Sequence, residues 1–299
     1  MTIPSRGTTG GTINRALADL QRNQNRSNQL QQQISSGKVL TRPSDSPTGT
    51  VTSLQLRGEA RATQQYSRNA DDGLGWLGTI QDKLADTSTS IIRVRDLTVQ
   101  GLSAANNGES RQALAVEVDN IRATLLGEAN TKYLGRPVFG GTTPGDVAFD
   151  TATGQYVGNT GSTTRTVGPN ARVRIESNGI EAFGANDSDT QLFTVLGKIA
   201  EDLRSGDMAS LDTGLANLDT AHDLLKSTLS DVGARYNRVT QMKQSAEGHL
   251  LSVSSQLSDI EDVDLPKAIM ELQIQQTSYQ AALAATAKVI QPSLIDFLR

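Results

Sequence analysis

The sequence predicts a mainly α protein, an elongated antiparallel helical bundle with a small β-rich insert and paired coiled-coil helices formed by its two ends. Proline is absent between Pro47 and Pro137 and again between Pro169 and Pro266, so two long stretches are free to be helical. Within those stretches, apolar residues recur at helical spacings of three and four. Only 36% of the 299 residues are hydrophobic and 4% are aromatic, which is lean for a large compact core but suits narrow helical packing.

The N-terminal region, residues 1–45, is predicted to be one thin amphipathic helix followed by a turn. The apolar positions of this helix are Ile13, Leu17, Leu20, Leu30 and Ile34. Gly37 follows them as a candidate C-terminal cap. Residues 41–50 contain two prolines and a glycine, and we therefore expect a turn or linker there.

The second region, residues 46–136, is predicted to be the N-terminal half of a helical rod. A helix from about Leu54 to Ala105 is indicated by a heptad seam at Leu77, Ile80, Leu84, Thr87, Ile91 and Val94. Asn106-Asn107-Gly108 interrupts this helix, and a third helix follows with apolar positions at Leu114, Val118, Ile121 and Leu125. Because the connection is short, we expect these two helices to be antiparallel neighbours.

Residues 137–190 are predicted to form a small β-rich insert. Helical periodicity disappears in this region, and ten of the 27 glycines lie between Gly135 and Gly184. Residues 172–176 alternate in polarity like a strand and are followed by a Ser-Asn-Gly turn signal. We therefore expect short strands joined by glycine-containing turns.

The fourth region, residues 191–257, is predicted to be the C-terminal helix of the rod. From Leu211 to Leu257, fourteen positions alternate spacings of four and three without a slip, which indicates a helix on the order of 70 Å long. His222 occupies one of these positions. A polar residue that fixes helix register, or a satisfied interface histidine, is favoured there over a metal ligand or catalytic base.

The last region, residues 258–299, is predicted to be a single C-terminal helix. Asp264 is a candidate N-cap, and Pro266 falls in the first turn. The seam of this helix is Leu265, Ile269, Leu272, Gln276, Tyr279, Leu283, Thr286, Ile290, Leu294 and Phe297.

The two terminal helices have opposite charge balance. Residues 1–44 contain six Lys/Arg and one Asp, whereas residues 258–299 contain three Lys/Arg and six Asp/Glu. Each apolar stripe is too narrow for a stable isolated helix, so the two helices either pack on the central bundle or pair with each other and with neighbouring subunits, remaining disordered until then. The residues alone leave both alternatives open. The second alternative predicts an assembly interface formed by Ile13, Leu17, Leu20, Leu30, Ile34, Leu265, Ile269, Leu272, Tyr279, Leu283, Ile290, Leu294 and Phe297.

Several functional classes are excluded by composition. The absence of cysteine excludes disulfides and thiolate chemistry, and two histidines are too few for a histidine metal cluster. A net charge of -4 argues against nucleic-acid binding. The longest apolar run, Ala281 to Ala285, is far too short to span a bilayer, and residues 1–12 show no apolar signal core. We therefore predict no cofactor, no metal, no nucleic acid and no membrane insertion.

Gly73 to Gly78 matches the G-x-G-x-x-G dinucleotide fingerprint. That fingerprint requires a preceding buried strand, whereas here it follows a polar segment and the heptad seam continues through it. A glycine-loosened stretch of helix is favoured, and no enzyme is predicted. If Gly75 lies in a helix with a negative φ and no partner backbone touches it, Gly75→Ala should stabilise the fold by about 0.5–1 kcal/mol.

Several motifs near the two ends resemble those of the flagellin superfamily. The N-terminal motifs are residues 34–38 (ISSGK), 43–47 (PSDSP), 69–72 (NADD) and 138–142 (VFGGT). The C-terminal motifs are residues 258–264 (SDIEDVD), 275–281 (QQTSYQA) and 293–298 (SLIDFL). Together with the flanking rods, the resemblance covers about two thirds of the chain, and its C-terminal part is most similar to members that lie at the junction of hook and filament.

The resemblance implies a non-enzymatic axial protein of the bacterial flagellum. It implies an outward-facing insert, a ring of subunits between the first hook-associated protein and the flagellin filament, and terminal helices that line an inner tube. It also implies an extracellular location reached through the flagellar type III export apparatus, without a cleaved signal peptide, after binding to a cytoplasmic chaperone. The nearest alternative is a flagellin filament subunit, and a more distant one is a nucleotide-dependent enzyme.

Overall fold

A computed structural model of the chain describes residues 9–103 and 107–290 and is mostly helical, with 73% of its residues in helices. The helices of this described part are α1 (Thr9–Ser36), α2 (Pro47–Leu102), α3 (Gly108–Ala129), α4 (Gly179–Phe183), α5 (Leu192–Ser205), α6 (Met208–Glu261) and α7 (Leu265–Ile290). The strands are β1 (Lys132–Tyr133), β2 (Arg136–Pro137), β3 (Thr164–Gly168) and β4 (Ala171–Arg174). The predicted mainly α fold with a small β insert is confirmed.

The chain divides into two compact units. Residues up to Arg61 and from Leu250 onward form one of them, called the terminal unit below. Ala62–His249 form the other, called the bundle unit. The finer division into five regions stays a prediction.

In the bundle unit, α2 and α6 are antiparallel and share a heptad core. Three contacts join the two helices: Asp71 to Lys243 at 2.7 Å, Ser88 to His222 at 2.8 Å and Arg95 to Asp219 at 3.0 Å. From one contact to the next, the residue number rises on α2 and falls on α6, as it must for antiparallel helices. All six predicted seam positions of α2 are buried, and they are Leu77, Ile80, Leu84, Thr87, Ile91 and Val94. Of the fourteen positions predicted on α6, the buried ones in this unit are Leu211, Leu218, His222, Leu225, Val232 and Val239, while others, such as Leu215 and Leu229, are partly buried. The predicted antiparallel bundle is therefore confirmed for this unit.

Helices α3 and α5 complete the bundle unit. Residues 191–257 hold two helices instead of the one predicted, because Gly206, in the left-handed conformation with φ +75°, ends α5 before α6 begins. The side chain of Asn107 accepts a hydrogen bond from Ser110 N at 2.8 Å and so caps α3, at the break that the sequence predicts. Asn106 lies outside the described residues. Arg122 of α3 donates from Nε to the Phe193 carbonyl at 2.9 Å, which fixes the start of α5 against α3.

The predicted insert, residues 137–190, contains the antiparallel hairpin β3–β4, turns and the one-turn helix α4, while the hairpin β1–β2 lies almost entirely before it, in the region predicted as rod. Its core is an aromatic cluster of Phe139, Phe149, Phe183 and Phe193 with ring centroids 5.0–5.5 Å apart. The predicted Ser-Asn-Gly turn is wrong. Asn178 accepts a hydrogen bond from Glu181 N at 3.0 Å and therefore caps α4 instead of reversing a strand.

The glycine-rich segment Gly73 to Gly78 lies inside α2, and the residues that precede it are helical as well. The nucleotide-binding alternative is therefore contradicted by its structural context, since no strand leads into the glycines. A Cβ atom on Gly75 would collide with the hydroxyl and ring of Tyr133. The predicted stabilisation by Gly75→Ala considered only backbone neighbours, and this side chain reverses the expected sign.

Helix α2 starts at Pro47, seven residues before the predicted start at Leu54. Ser46 Oγ accepts a hydrogen bond from Gly49 N at 3.2 Å, and Pro47 occupies the first helical position, where its missing N–H costs nothing. The part of the predicted linker from Pro47 to Thr50 is thus the first turn of the helix.

Candidate assembly interface

Helices α1 and α7, called the terminal pair below, pack against each other in the terminal unit. Arg26 lies 3.7 Å from Glu271, and Asn23 is hydrogen-bonded to Gln275, so the two helices run antiparallel. Most of the less exposed positions form one row on each helix, which is Ala16, Leu20, Asn23, Ser27, Leu30 and Ile34 on α1 and Ala268, Leu272, Gln275, Tyr279, Ala282 and Thr286 on α7, with Gln29, Gln33 and Glu271 as half-buried neighbours of these rows. Both sets alternate spacings of four and three, which is the heptad geometry of a two-helix seam.

The seam of the terminal pair is narrow and partly polar. Among its described positions only Leu30 and Ala268 are fully buried. Gln275 Nε2 donates to Asn23 Oδ1 at 3.0 Å and forms a polar layer across the seam. Such a layer selects one register and one partner at a cost in stability.

The predicted interface residues fall on two sides of the terminal pair. Leu20, Leu30, Ile34, Leu272 and Tyr279 lie at less exposed seam positions. Four others point outward and are 43–50% exposed, and they are Leu17, Leu265, Ile269 and Leu283. The side chains of Ile13 and Ile290, and the whole of Leu294 and Phe297, lie outside the described residues.

Three seam residues of α7 escape prediction because they are small or polar. They are Ala268, Gln275 and Ala282, whereas the predicted positions Leu272, Tyr279 and Thr286 do lie in the seam and the predicted position Gln276 is exposed. Met270 is 57% exposed and Ile274 is 60% exposed, and Leu265, Ile269 and Leu283 also point outward on this helix. Helix α7 is therefore apolar over much of its circumference, whereas the outward positions of α1 are mainly Gln, Asn, Arg and Ser.

A buried carboxylate anchors the terminal pair to the rest of the terminal unit. Glu261, at the end of α6, is 4% exposed and accepts two hydrogen bonds from Arg57, Nε to Oε1 and Nη2 to Oε2, both at 2.8 Å. Lys38 Nζ lies 3.4 Å from Oε2. The Arg57 hydrogen bonds, helped by Ser53 and Lys38, hold the pKa of the Glu261 carboxyl below its ordinary value.

Asp262 and the backbone complete this anchor. Lys38 Nζ lies 2.6 Å from Asp262 Oδ1, and this contact lowers the pKa of Asp262 and raises that of Lys38. Val39 N donates to the Glu261 carbonyl at 2.6 Å, and Val263 N donates to the Gly37 carbonyl at 3.0 Å. Gly37 supplies the required left-handed turn with φ +69°, which confirms its predicted place at the end of α1.

The anchor could not have been found from the heptad of α6. The alternation of four and three places the core position after Leu257 at Ile260, whereas the buried carboxylate belongs to Glu261. The predicted N-cap at Asp264 is confirmed, since Lys267 N donates to Asp264 Oδ1 at 3.1 Å.

The chemistry of this site is that of helix association. In residues 9–103 and 107–290 no group of three His, Asp or Glu side chains is placed to hold a metal ion. The helices of that part of the chain include none with the length and apolar character needed to cross a membrane. What the terminal unit presents is a set of apolar helix faces beside a paired ionic anchor.

The fold and this site define a helical protein whose two terminal regions pair with each other on either side of a variable insert. The N-terminal helical region of bacterial flagellin matches residues 8–143, and the C-terminal helical region of bacterial flagellin matches residues 215–298. The chain belongs to the flagellin superfamily.

Relatives of two kinds are similar to the chain over most of its length. Flagellin of Bacillus subtilis is 27% identical over 296 residues, covering 94% of this chain and 93% of the relative. Flagellar hook-associated protein 3 of Escherichia coli is 25% identical over 276 residues, covering 85% and 87%. The crystal structure of the flagellar junction protein FlgL from Legionella pneumophila has the same fold, with a TM-score of 0.58 at 16% identity over 70% of this chain and 99% of that one.

Proposed function

We propose that this chain is a structural, non-enzymatic axial protein of the bacterial flagellum that joins the hook to the flagellin filament. The observation that carries the proposal is similarity to hook-associated protein 3 along 85% of the chain, combined with flagellin-type regions at both ends. The paired terminal helices support it, because a protein that joins two tubular structures must present association surfaces on its ends. No feature of the described residues requires a reaction.

The outward face of α7 is the best candidate for contacts between subunits. A helix that is apolar on most of its circumference is normally enclosed on several sides, but here only one side is covered by α1. Leu265, Ile269 and Leu283 are available for a neighbouring copy in a ring, and Leu17 extends the apolar surface onto α1. Burial of the exposed part of each of these side chains would contribute about 1 kcal/mol to the free energy of association. The remaining interface candidates are Ile13, Ile290, Leu294 and Phe297.

The partners in this proposal are the first hook-associated protein on one side, flagellin on the other and further copies of this chain in a ring. The protein would reach the extracellular flagellum through the flagellar type III export apparatus, guided by a cytoplasmic chaperone. A chain without cysteine suits this route because no disulfide has to form after passage.

A flagellin filament subunit is the second candidate, and the 27% identity to Bacillus subtilis flagellin over 296 residues favours it. Purified chain incubated with filament seeds separates the two. We expect no elongation of the seeds, while flagellin from the same source, as the positive control, elongates them. Labelled antibody should then mark a single band between hook and filament in electron micrographs of isolated flagella. Long filaments of this chain, or label along the whole filament, would favour the flagellin alternative.

A further inference from the structure

Leu134 is 77% exposed, the highest value among the large apolar side chains of the described residues. It lies in the two-residue loop of the β1–β2 hairpin, since Tyr133 pairs with Arg136 across that loop. Leu134 has φ +48° and Gly135 has φ +80°. Two positive φ values are typical of a type I′ turn, which prefers asparagine followed by glycine and in which a leucine is strained. The chain therefore carries a strained, exposed leucine where asparagine would fold more easily.

The residues on both sides of the loop hold it against α2. The Tyr133 ring occupies the space beside Gly75 and makes an edge contact with Trp76, with ring centroids 5.5 Å apart. The Arg136 guanidinium lies 5.7 Å from the centroid of the Trp76 ring, a cation–π contact. Leu134 is left in solvent between these two anchors. A side chain on a support that is fixed at two points loses little conformational freedom when a partner covers it.

The place of the hairpin in the bundle unit limits which chain can cover Leu134. Gly75 and Trp76 lie near the middle of α2, which runs from Pro47 to Leu102. A side chain that projects from the flank of a helix is available to a chain beside that helix, not to one beyond its end. One leucine also offers only a small part of the about 800 Å² per partner that stable interfaces bury. It therefore adds affinity only between chains that another interface already holds side by side.

We propose that Leu134 is a contact residue for a second copy of this chain, and that its side chain becomes buried between neighbouring copies in the assembly. This inference rests on the proposed function, in which copies lie side by side in a ring. Contacts in a ring of identical copies are heterologous, so a projecting leucine on one copy meets a different surface of the next. Burial of the leucine in the assembly then offsets the strain of the turn that presents it.

The first test is photocrosslinking from position 134 in assembled flagella. The chain has no cysteine, so Leu134→Cys carries a single thiol for a benzophenone maleimide. The labelled full chain is added to flagella that lack it, and the incorporated fraction is illuminated. We expect an adduct that mass spectrometry identifies as two copies of this chain. An adduct with flagellin or another flagellar protein instead, or no adduct, would overturn the proposal.

Val157→Cys is the matched control for the crosslinking. Val157 is an apolar residue of the neighbouring insert, 52% exposed, and its φ is not positive. The control should give no adduct between copies. Equal adducts from both positions would mean that the strained turn does not single out a contact, and this result would also overturn the proposal.

Leu134→Asn tests the strain and the contact together. Asparagine suits the turn, so the urea midpoint of the free full chain should rise. In competition with an equal amount of the parent, incorporation into flagella should fall about tenfold, because the apolar contact is lost. A lower urea midpoint would assign Leu134 to the stability of the fold itself, and undiminished incorporation would remove it from the contacts between copies. Each of these results contradicts the proposal.

Failure of this inference is distinguishable from failure of the proposed function. Antibody label along the whole filament would contradict the junction function, while an adduct between copies at position 134 would still support the lateral contact. A labelled band between hook and filament without that adduct would support the junction function and overturn the inference.

Discussion

Gly75 shows how one missing Cβ atom lets two elements approach. The Tyr133 ring occupies the space beside this glycine and makes an edge contact with Trp76, with ring centroids 5.5 Å apart. We expect Gly75→Ala to lower the free energy of unfolding by about 1 kcal/mol. The cost of displacing the overpacked Tyr133 ring should exceed the stabilisation that alanine gives the helix. Urea denaturation followed by circular dichroism measures the difference.

Gly78 is the matched control on the same helix. A Cβ there would lie 3.7 Å from Tyr236 Cε2, an ordinary contact distance, so Gly78→Ala should raise the free energy of unfolding by about 0.5–1 kcal/mol. Equal gains in both variants would mean that Tyr133 moves aside at no cost and that the glycine is not required.

His222 makes the stability of the bundle unit depend on pH. It is 7% exposed, its Nε2 lies 2.8 Å from Ser88 Oγ, and burial lowers its pKa below the ordinary 6.5. The folded state therefore prefers the neutral imidazole, and the stability of that state should decrease as the pH falls from about 7 through 6.5 towards the lower folded pKa. His222→Leu should remove this dependence and preserve or increase stability at neutral pH.

Urea unfolding of parent and His222→Leu at about pH 8 and pH 5.5 measures this effect. The parent should lose more stability between the two pH values than the variant does. The same loss in both proteins would assign the pH dependence to other groups, and a large loss of stability in the variant at pH 8 would mean that the Ser88 contact matters more than apolar packing.

At the scale of helices, apolar periodicity predicts the buried face of a helix where large apolar residues form that face. It fails where the buried face consists of small or polar residues. The cores of α2 and α6 follow from their leucine, isoleucine and valine heptads. The seam of α7 does not, because Ala268 and Gln275 carry no strong signal and Leu265 and Leu283 draw the pattern to another face. The start of α2 at Pro47 is hard to predict for a different reason. Proline is common in turns, but it also suits the first turn of a helix.

The two faces of the terminal pair can be separated by a pair of alanine variants. Leu30 is 3% exposed inside the pair, so Leu30→Ala should destabilise α1 and α7 by about 2–3 kcal/mol and accelerate their amide exchange. Leu283 is 43% exposed, so Leu283→Ala should leave the exchange of the free chain unchanged and weaken assembly. Hydrogen exchange of the monomer, together with motility of cells that carry each variant, distinguishes the two effects.

Leu283→Ala with normal motility and normal incorporation would remove this face from the assembly interface. Faster exchange of α7 in the same variant would instead place Leu283 in a contact within the free chain. Either result would leave the ion pairs of Glu261 with Arg57 and Lys38 unaffected, because Leu283 lies near the opposite end of α7.

For the whole molecule, the sequence predicts the superfamily and the bundle better than it predicts how the ends are held. The motifs at residues 34–38 and 258–264 were visible as a resemblance, but no periodicity shows that Lys38 and Glu261 meet across more than two hundred residues. Such a contact depends on the packing of four segments, and local sequence patterns do not encode it. The aromatic cluster of the insert escapes prediction for the same reason, since Phe139 and Phe193 are joined only by tertiary structure.

The bundle unit should fold independently of the terminal unit. The members of its continuous buried core lie between Ala70 and Val239, so a fragment spanning about residues 46–257 keeps that whole core while it loses Glu261 and the terminal pair. We expect the fragment to fold, to remain soluble and monomeric, and to fail to join hook to filament, because the outward face of α7 is absent. Thermal unfolding, light scattering and a motility rescue assay measure these properties, with the full chain as control. An unfolded fragment would mean that the terminal segments belong to the folding core, and a fragment that restores motility would mean that assembly runs through the bundle unit instead.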